Sequence, residues 1–245
     1  MSLDFQTLDL AKEKLDALRP LSGRQVLTRG EAWDIEMVYE SNRIEGNSLT
    51  LRETEMVVAR GMTIAGKPLK DHLEAVNLMA AWRHLLTVTA ARERVTESET
   101  LALHAMVMAR IADEEAGRYR RGFVRIAGAR HVPPNAVKVP ALMGELFTQA
   151  AASHAVAEAA RLHHGIPSIH PFSDGNGRTA RLVMNFTLLR AGYPPVSLSA
   201  DRREAYYAAL EKADTGDESA FASFVGEAVH TEIERWLAAL SEESR

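Results

Sequence analysis

His170-Pro171-Phe172-Ser173-Asp174-Gly175-Asn176-Gly177-Arg178, followed at Arg181 by a second arginine, is the stretch on which the rest of the chain is read. It holds a base, a carboxylate able to bind a metal, two glycines around an amide, and a cation. The following residues, Thr179 to Arg190, predict a helix with Leu182, Phe186 and Leu189 on one face. The glycines therefore sit where a loop enters a helix, so unpaired N–H groups and the positive end of the helix dipole face outward together. That is an anion site, most naturally for phosphate. Arg178 and Arg181 are three apart, share a helix face, and can grip adjacent phosphates. Pro171 restricts His170 to extended geometry.

Two other phosphate or metal loops fail on the letters. A P-loop needs Gly-Lys-Ser/Thr, and the only Gly-Lys, Gly66-Lys67, runs into Pro68. An EF-hand loop starting at Asp174 would need a ligand at Arg178 and glycine at Thr179. The stretch instead resembles the Fic family signature, His-x-Phe-x-Asp/Glu-Gly-Asn-Gly-Arg-x-x-Arg, at every fixed position. The similarity runs from about Trp33 to about Val229. It implies an all-α Fic fold, and transfer of AMP from ATP to a hydroxyl side chain of a target protein.

Composition sets wide bounds. The 245 residues, 46% hydrophobic, suffice for one sizeable core. A net charge of −4 offers no broad basic field for nucleic acid. No apolar run approaches the ~20 residues that span a membrane. The N-terminus lacks a basic and an apolar signal region, and the absence of cysteine excludes disulfides and thiolate chemistry. The expectation is a cytoplasmic protein with no membrane or nucleic-acid partner.

Leu3 to Leu18 predicts an amphipathic helix stopping before Pro20, and Leu21 to Arg29 a polar connector. Glu31 to Glu45 predicts a second helix, with Ile35, Val38 and Tyr39 inward and Gly46-Asn47 closing it. Ser41 and Glu45 project from one face of its last turn. Ser41-x-x-x-Glu45-Gly46 resembles the Fic inhibitory motif, which implies an N-terminal inhibitory helix over about 31–46. Thr50-Leu51-Arg52-Glu53 and Thr96-Glu97-Ser98-Glu99 read as capping boxes of further helices, with one from Asp71 to Thr87 between them. The helix opened at Thr96 is carried through Leu101, Ala105, Met108 and Ile111 until Gly117 breaks it.

From Tyr119 to Pro134 the period changes. Phe123-Val124-Arg125-Ile126 alternates and Ala127-Gly128-Ala129-Arg130 can turn, which predicts a β-hairpin over about 123–131. The resemblance makes it the flap on which the target segment docks. Pro140 fits the first turn of a helix whose inner face is Leu142, Met143, Leu146 and Phe147. His154 to His164 predicts the next helix, ended by Gly165 and Pro167. His163 and His164 read as helix-end histidines that cap carbonyls or favour the dipole rather than as metal ligands.

Gly192-Tyr193-Pro194-Pro195 stops the signature helix. Asp201-Arg202-Arg203-Glu204 then caps a helix carrying Tyr206 and Tyr207, and Asp217 or Glu218 opens the last one. By resemblance, the Tyr206-Tyr207 pair lines an adenine pocket with an asparagine seven residues on. Asp214 stands there instead, and a carboxylate accepts but cannot donate as an amide does. The expected organisation is a helical N-terminal region, 1–95, and a catalytic core, 96–245, packed as one compact unit with the hairpin as its small β element.

Moving AMP to a hydroxyl requires a base, neutralisation of the triphosphate and in-line geometry. His170 supplies the base. Asp174 holds Mg2+, with Mn2+ as the alternative. Gly175, Asn176 and Gly177 donate to the α- and β-phosphates, and Arg178 and Arg181 take the outer ones, Arg181 at the γ position by resemblance. Phe172 is buried and pins the loop. The resemblance gives Glu45 a pairing with Arg181 that blocks productive γ-phosphate binding. Self-modification and a homodimer are further expectations. Transfer of another phosphate-linked group, removal of AMP, and a non-catalytic nucleotide-binding regulator are the competing readings. A DNA-binding regulator would need a basic helix-turn-helix for which the chain after Trp236 is too short.

Overall fold

The computed structural model describes residues 4–18, 23–91, 94–126 and 130–243. Among these residues ten α-helices follow in order: α1 (Phe5–Asp16), α2 (Gly23–Ile44), α3 (Leu51–Arg60), α4 (Leu69–Ala91), α5 (Glu97–Met108), α6 (Val139–Thr148), α7 (Ala155–Ile169), α8 (Asn176–Arg190), α9 (Arg203–Asp214) and α10 (Glu218–Glu243). Single 3-10 turns precede α6 and α9. The class is all-α, as the helical periodicity along the chain predicts and the resemblance implies.

Local chemistry sets several boundaries where the sequence places them. The Thr50–Glu53 and Thr96–Glu99 pairs each form a complete capping box, satisfying two donors that the first turn leaves unpaired. Gly61 ends α3 in the left-handed region. Pro140 sits in the first turn of α6.

Helices α7 and α8 are the centre of the molecule, and the loop joining them is the 170–175 stretch. One core cluster gathers residues of α2 to α6, including Trp33, Leu78, Trp82 and Met143, around Leu162, Ile166, Leu182 and Phe186 of the central pair. A second gathers α1, α9 and α10 around Val156, Ala160, Met184 and Leu188. Side chains from both sides of residue 95 therefore share one core. α8 is buried around most of its circumference, with even Arg178, Arg181 and Asn185 inside. Truncating a fully buried aromatic such as Phe172 or Phe186 to alanine typically costs about 3–5 kcal/mol.

Four expectations are corrected. α2 begins at Gly23, so most of the expected connector from Leu21 to Arg29 is helix. Between Pro20 and Gly46 only Gly23 and Gly30 oppose a helix, each by about 1 kcal/mol. α5 stops at Met108, before Ile111, because Ala109 leaves the helical region and Arg110 takes a positive φ of 60°.

α7 does not end at Gly165 and Pro167 but runs through both to Ile169. Gly165 is instead a close-packing position, where a Cβ would collide with the Leu146 side chain of α6. Pro167 removes one helical hydrogen bond, yet the His170 N–H closes the last turn on the Ile166 carbonyl at 2.8 Å. Finally, the expected hairpin carries no strand among the described residues; of its expected turn, 127–130, the first three residues lie outside them. No backbone hydrogen bond joins 121–126 to 130–135 among the described residues. Side-chain bonds to the signature loop hold this segment in place of a ladder.

Candidate active site

The loop between α7 and α8 is built from the inside out. Phe172 is fully buried and stacks on His104 of α5, ring centroids 3.6 Å apart at 5°. The Asn176 amide closes the loop on itself: Oδ1 accepts from the Phe172 N–H at 3.0 Å and Nδ2 donates to the Phe172 carbonyl at 2.9 Å. Gly175 caps α8 with φ 78°, and a side chain there would press on Met108 Sδ and the His104 ring. Asn176, Gly177 and Arg178 thus occupy the first three helical positions, whose N–H groups have no acceptor within the helix. The Asn176 side chain serves the loop, so of this residue only the backbone N–H faces out of the helix entry.

His104 carried no mark in the sequence beyond lying in a helix. Its Nδ1 accepts from the Gly117 N–H at 3.0 Å, which leaves Nε2–H to donate to the Asp174 carbonyl at 3.0 Å. Burial pushes its pKa down to about 4, overriding the bond to Asp174, so the ring is a neutral prop.

His170 adopts φ 51° and ψ 59°, not the extended geometry Pro171 suggests. A non-glycine residue in this region costs on the order of 1–2 kcal/mol. Arg120 compensates. Its Nε donates to the His170 carbonyl at 2.6 Å, Nη1 to Gly122 at 2.8 Å, and Nη2 to Pro134 at 2.6 Å, while its own N–H bonds the Pro171 carbonyl at 2.9 Å. No carboxylate pairs with Arg120 among the described residues. Burial accordingly lowers its pKa. A cation within a run of arginines gives no hint in sequence that it, rather than Arg121, turns inward. The His170 imidazole is half-buried, and burial above all, with Arg120 adding, holds its pKa below the ordinary value. At neutral pH it is a free base.

Burial alone would raise the Asp174 carboxyl, but Arg178, the Gly175 N–H and Lys70 together hold its pKa below normal. Lys70 Nζ lies 3.2 Å from Oδ2 and Arg178 Nη2 lies 3.3 Å from Oδ1. Arg178 is buried to 1% exposure, its Nη1 3.2 Å from Glu74 Oε1 and its Nη2 3.9 Å from Met108 Sδ. Arg178 and Arg181 therefore do not present one gripping face. Arg178 turns toward α4 and α5 and fixes Asp174, because Glu74 from α4 supplies a carboxylate that offsets the buried guanidinium charge.

Arg181 turns the other way, toward α2. Its Nε donates to Ser41 Oγ at 2.8 Å, and Nη2 donates to the Ser41 carbonyl at 2.9 Å and to Glu45 Oε1 at 2.7 Å. Glu45 reaches it from the turn after α2, where Gly46 takes φ 95°. Its carboxylate lies over Gly177, so close that a Cβ there would collide with Oε1. An anion of the chain itself thus rests on the N-terminus of α8. Burial opposes the Arg181 charge, but Glu45 and Tyr206 outweigh it and raise its pKa.

The three residues expected around a base pocket divide. Tyr206 is buried, its hydroxyl 3.5 Å from Arg181 Nη1 and 3.2 Å from His163 Nε2, and belongs to the core behind the site. Full burial keeps His163 neutral, its pKa far below normal. Tyr207, 40% exposed, and Asp214 line a cleft of about 480 Å³ together with Ile126, Pro167 and Ser168. His164 Nε2–H donates to Asp214 Oδ1 at 2.9 Å, and His131 stands 4.0 Å from the same oxygen. His164 is thus not a carbonyl cap.

Residues 94–188 match the Fic/DOC family. The chain is 34% identical over 244 residues to "Protein adenylyltransferase Fic" of Culex quinquefasciatus, covering 97% of this chain and 48% of that protein. It is 35% identical over 249 residues to the protein of the same name in Aedes aegypti, covering 98% and 49%. The chain spans about half the length of these curated relatives. Among solved structures, a Fic family protein from Desulfovibrio desulfuricans G20 superposes with a TM-score of 0.78 at 30% identity, covering 98% of this chain and 74% of that one. Fic-1 (aa134–508) from C. elegans superposes with a TM-score of 0.85 at 28% identity, covering 97% and 72%.

Proposed function

Because the chain belongs to the Fic/DOC family, we propose that it transfers AMP from ATP to a hydroxyl side chain of a target protein and that Glu45 restrains this transfer. The observation that carries the reading is a single one: His170, at the end of α7, stands beside the N-terminus of α8 where Glu45 now rests, with Asp174 and Arg181 at the same helix end. The target hydroxyl attacks the α-phosphorus, the bond from that phosphorus to pyrophosphate breaks, and His170 takes the hydroxyl proton. Backbone N–H groups of Asn176 and Gly177 face the phosphate oxygens on which charge grows as pyrophosphate leaves. Arg181 receives the γ-phosphate once Glu45 withdraws. Tyr207 and Asp214 border the cleft that takes the base.

The donor set fits a divalent metal held jointly with the nucleotide. Among the described residues no three His, Asp or Glu side chains converge on a point, so Asp174, ionised and half-exposed, would hold Mg2+ or Mn2+ together with phosphate oxygens. Such an ion neutralises phosphate charge when bound. Lys70, now on Asp174, must yield or share that carboxylate, and its own exposure makes this cheap.

Glu45 and a γ-phosphate compete for Arg181, and only one can win. Charge-assisted bonds of this kind are worth roughly 1.5–3 kcal/mol each, so removing the competitor shifts productive binding by ~10-fold or more. The test is mass spectrometry of the chain and of candidate targets after incubation with ATP and Mg2+, for wild type and Glu45→Gly. Addition of one AMP, enhanced in the variant and lost with His170→Ala, is expected. A different added group, or none in Glu45→Gly with a competent acceptor, overturns the reading.

A further inference from the structure

Residues 116–144 carry Arg118, Arg120, Arg121, Arg125, Arg130 and Lys138 but no Asp or Glu, in a chain whose net charge is −4. Arg120 is buried on carbonyls, and Arg130 shares a recess of about 450 Å³ with Glu211 and Asp214 of α9. Arg118, Arg121, Arg125 and Lys138 are exposed, and none forms an ion pair among the described residues. Between these cations stand exposed apolar side chains: Phe123 at 73%, Val132 at 66% and Val137 at 88%.

Burial alternates along the first part of this segment. Arg121, Phe123 and Arg125 are exposed, whereas Val124 and Ile126 are half-buried. Cation, aromatic and cation therefore stand on one side at period two. The backbones of 123–126 make no hydrogen bond to other backbone among the described residues, so their N–H and C=O groups remain for an added strand. Both ends of the segment are fixed at the His170 end of α7, by Arg120 on the His170 and Pro171 carbonyls and by His131 Nε2–H on the Ser168 carbonyl at 2.8 Å.

We propose that this face selects an acidic target segment: Asp or Glu on either side of a bulky apolar residue, near the hydroxyl to be modified. The proposal rests on the transferase reading and gives it a substrate class. Charge complementarity names the occupant, since a segment of exposed arginines beside the base, without carboxylate partners among the described residues, repels basic peptides and steers acidic ones. Two of the three exposed apolar side chains are valines, which have no π-face for stacking a nucleobase, so a peptide fits better than a nucleic acid.

The test uses three short synthetic peptides with the same Thr and Leu centre and acidic, neutral or basic flanks. Binding to the wild-type chain is read by fluorescence anisotropy, and AMP transfer by mass with Glu45→Gly. The acidic peptide is expected to bind on the order of ten-fold more tightly than the neutral one, and the basic one most weakly. Arg121→Glu with Arg125→Glu should invert that order with ATP affinity unchanged. The wild-type preference should also shrink between roughly 50 and 300 mM NaCl as screening shortens. Equal binding of the three peptides, or a short oligodeoxynucleotide binding as tightly as the acidic peptide, overturns the proposal. Acidic preference without AMP on any peptide or on the chain itself counts against the transferase instead. Transfer indifferent to peptide charge keeps the transferase and rejects the acidic docking face.

Discussion

Glu45 Oε1 lies 2.7 Å from Nη2 of Arg181, joining the turn after α2 to the second turn of α8 across 136 residues of sequence. The arginine is buried, whereas the glutamate side chain is 30% exposed and can swing away. A buried cation with a movable partner is available to another anion. Glu45→Gly should therefore raise AMP transfer ~10-fold or more, and Arg181→Ala in the same chain should cancel the gain. Initial rates with ATP and Mg2+ check both. An Arg181→Ala, Glu45→Gly chain as active as Glu45→Gly alone would remove Arg181 from the nucleotide site.

Gly177 isolates the same anion seat from the opposite side. Its backbone is helical, so alanine is permitted there, but the new Cβ would occupy the space of Glu45 Oε1. Gly177→Ala should displace the glutamate without releasing activity, since the methyl also obstructs the phosphate. Calorimetric ATP affinity is expected to fall several-fold in both the wild-type and the Glu45→Gly background. Affinity equal to the parent in the Glu45→Gly background would mean that phosphate binds elsewhere.

Arg120 should act on rate rather than on nucleotide binding. Arg120→Met removes three side-chain bonds to carbonyls, one of them on His170 itself. Misplacement by ~1 Å can cost about 10²-fold in rate, so kcat should fall by ten- to a hundred-fold at most. ATP affinity should remain within a few-fold, and Arg120→Lys should restore only part of the rate. Loss of ATP affinity in step with kcat would mean that the loop as a whole has collapsed.

The pH dependence has two parts of the same sign. His170 works as a free base and its folded pKa lies below the ordinary 6.5, so the transfer rate should rise with pH through that lower value and level off before neutrality. His104 binds protons more weakly folded, at about 4, than unfolded at 6.5. The unfolded chain therefore binds more protons in this window, and stability falls as pH drops from 6.5 towards 4, by about 3 kcal/mol from this group at the limit. Buried neutral His163 adds loss in the same direction. Urea melts from pH 7 to pH 4 should show the decline, with a shallower slope in His104→Gln. An identical slope in that variant would take His104 out of the acid transition.

What the sequence determined by itself is local. Thr50 with Glu53, Thr96 with Glu99, Gly61 after α3 and Pro140 in α6 set helix ends through bonds spanning three or four residues, and those rules need no tertiary partner. The Gly175-Asn176-Gly177 entry to α8 was legible for the same reason, and its long motif identified the family. Tertiary structure decided where the long side chains go. Arg178 and Arg181 share a face by spacing, yet Glu74 draws one towards α4 and Ser41 with Glu45 draws the other towards α2, because the carboxylates that offset these two buried charges come from far along the chain. His104 beneath Phe172 and Arg120 beneath His170 were hidden likewise. Left-handed His170 and the helix running through Pro167 contradict local preference. Such strain persists where packing and carbonyl bonds from other elements outweigh it, and none of those partners lies within the stretch they hold.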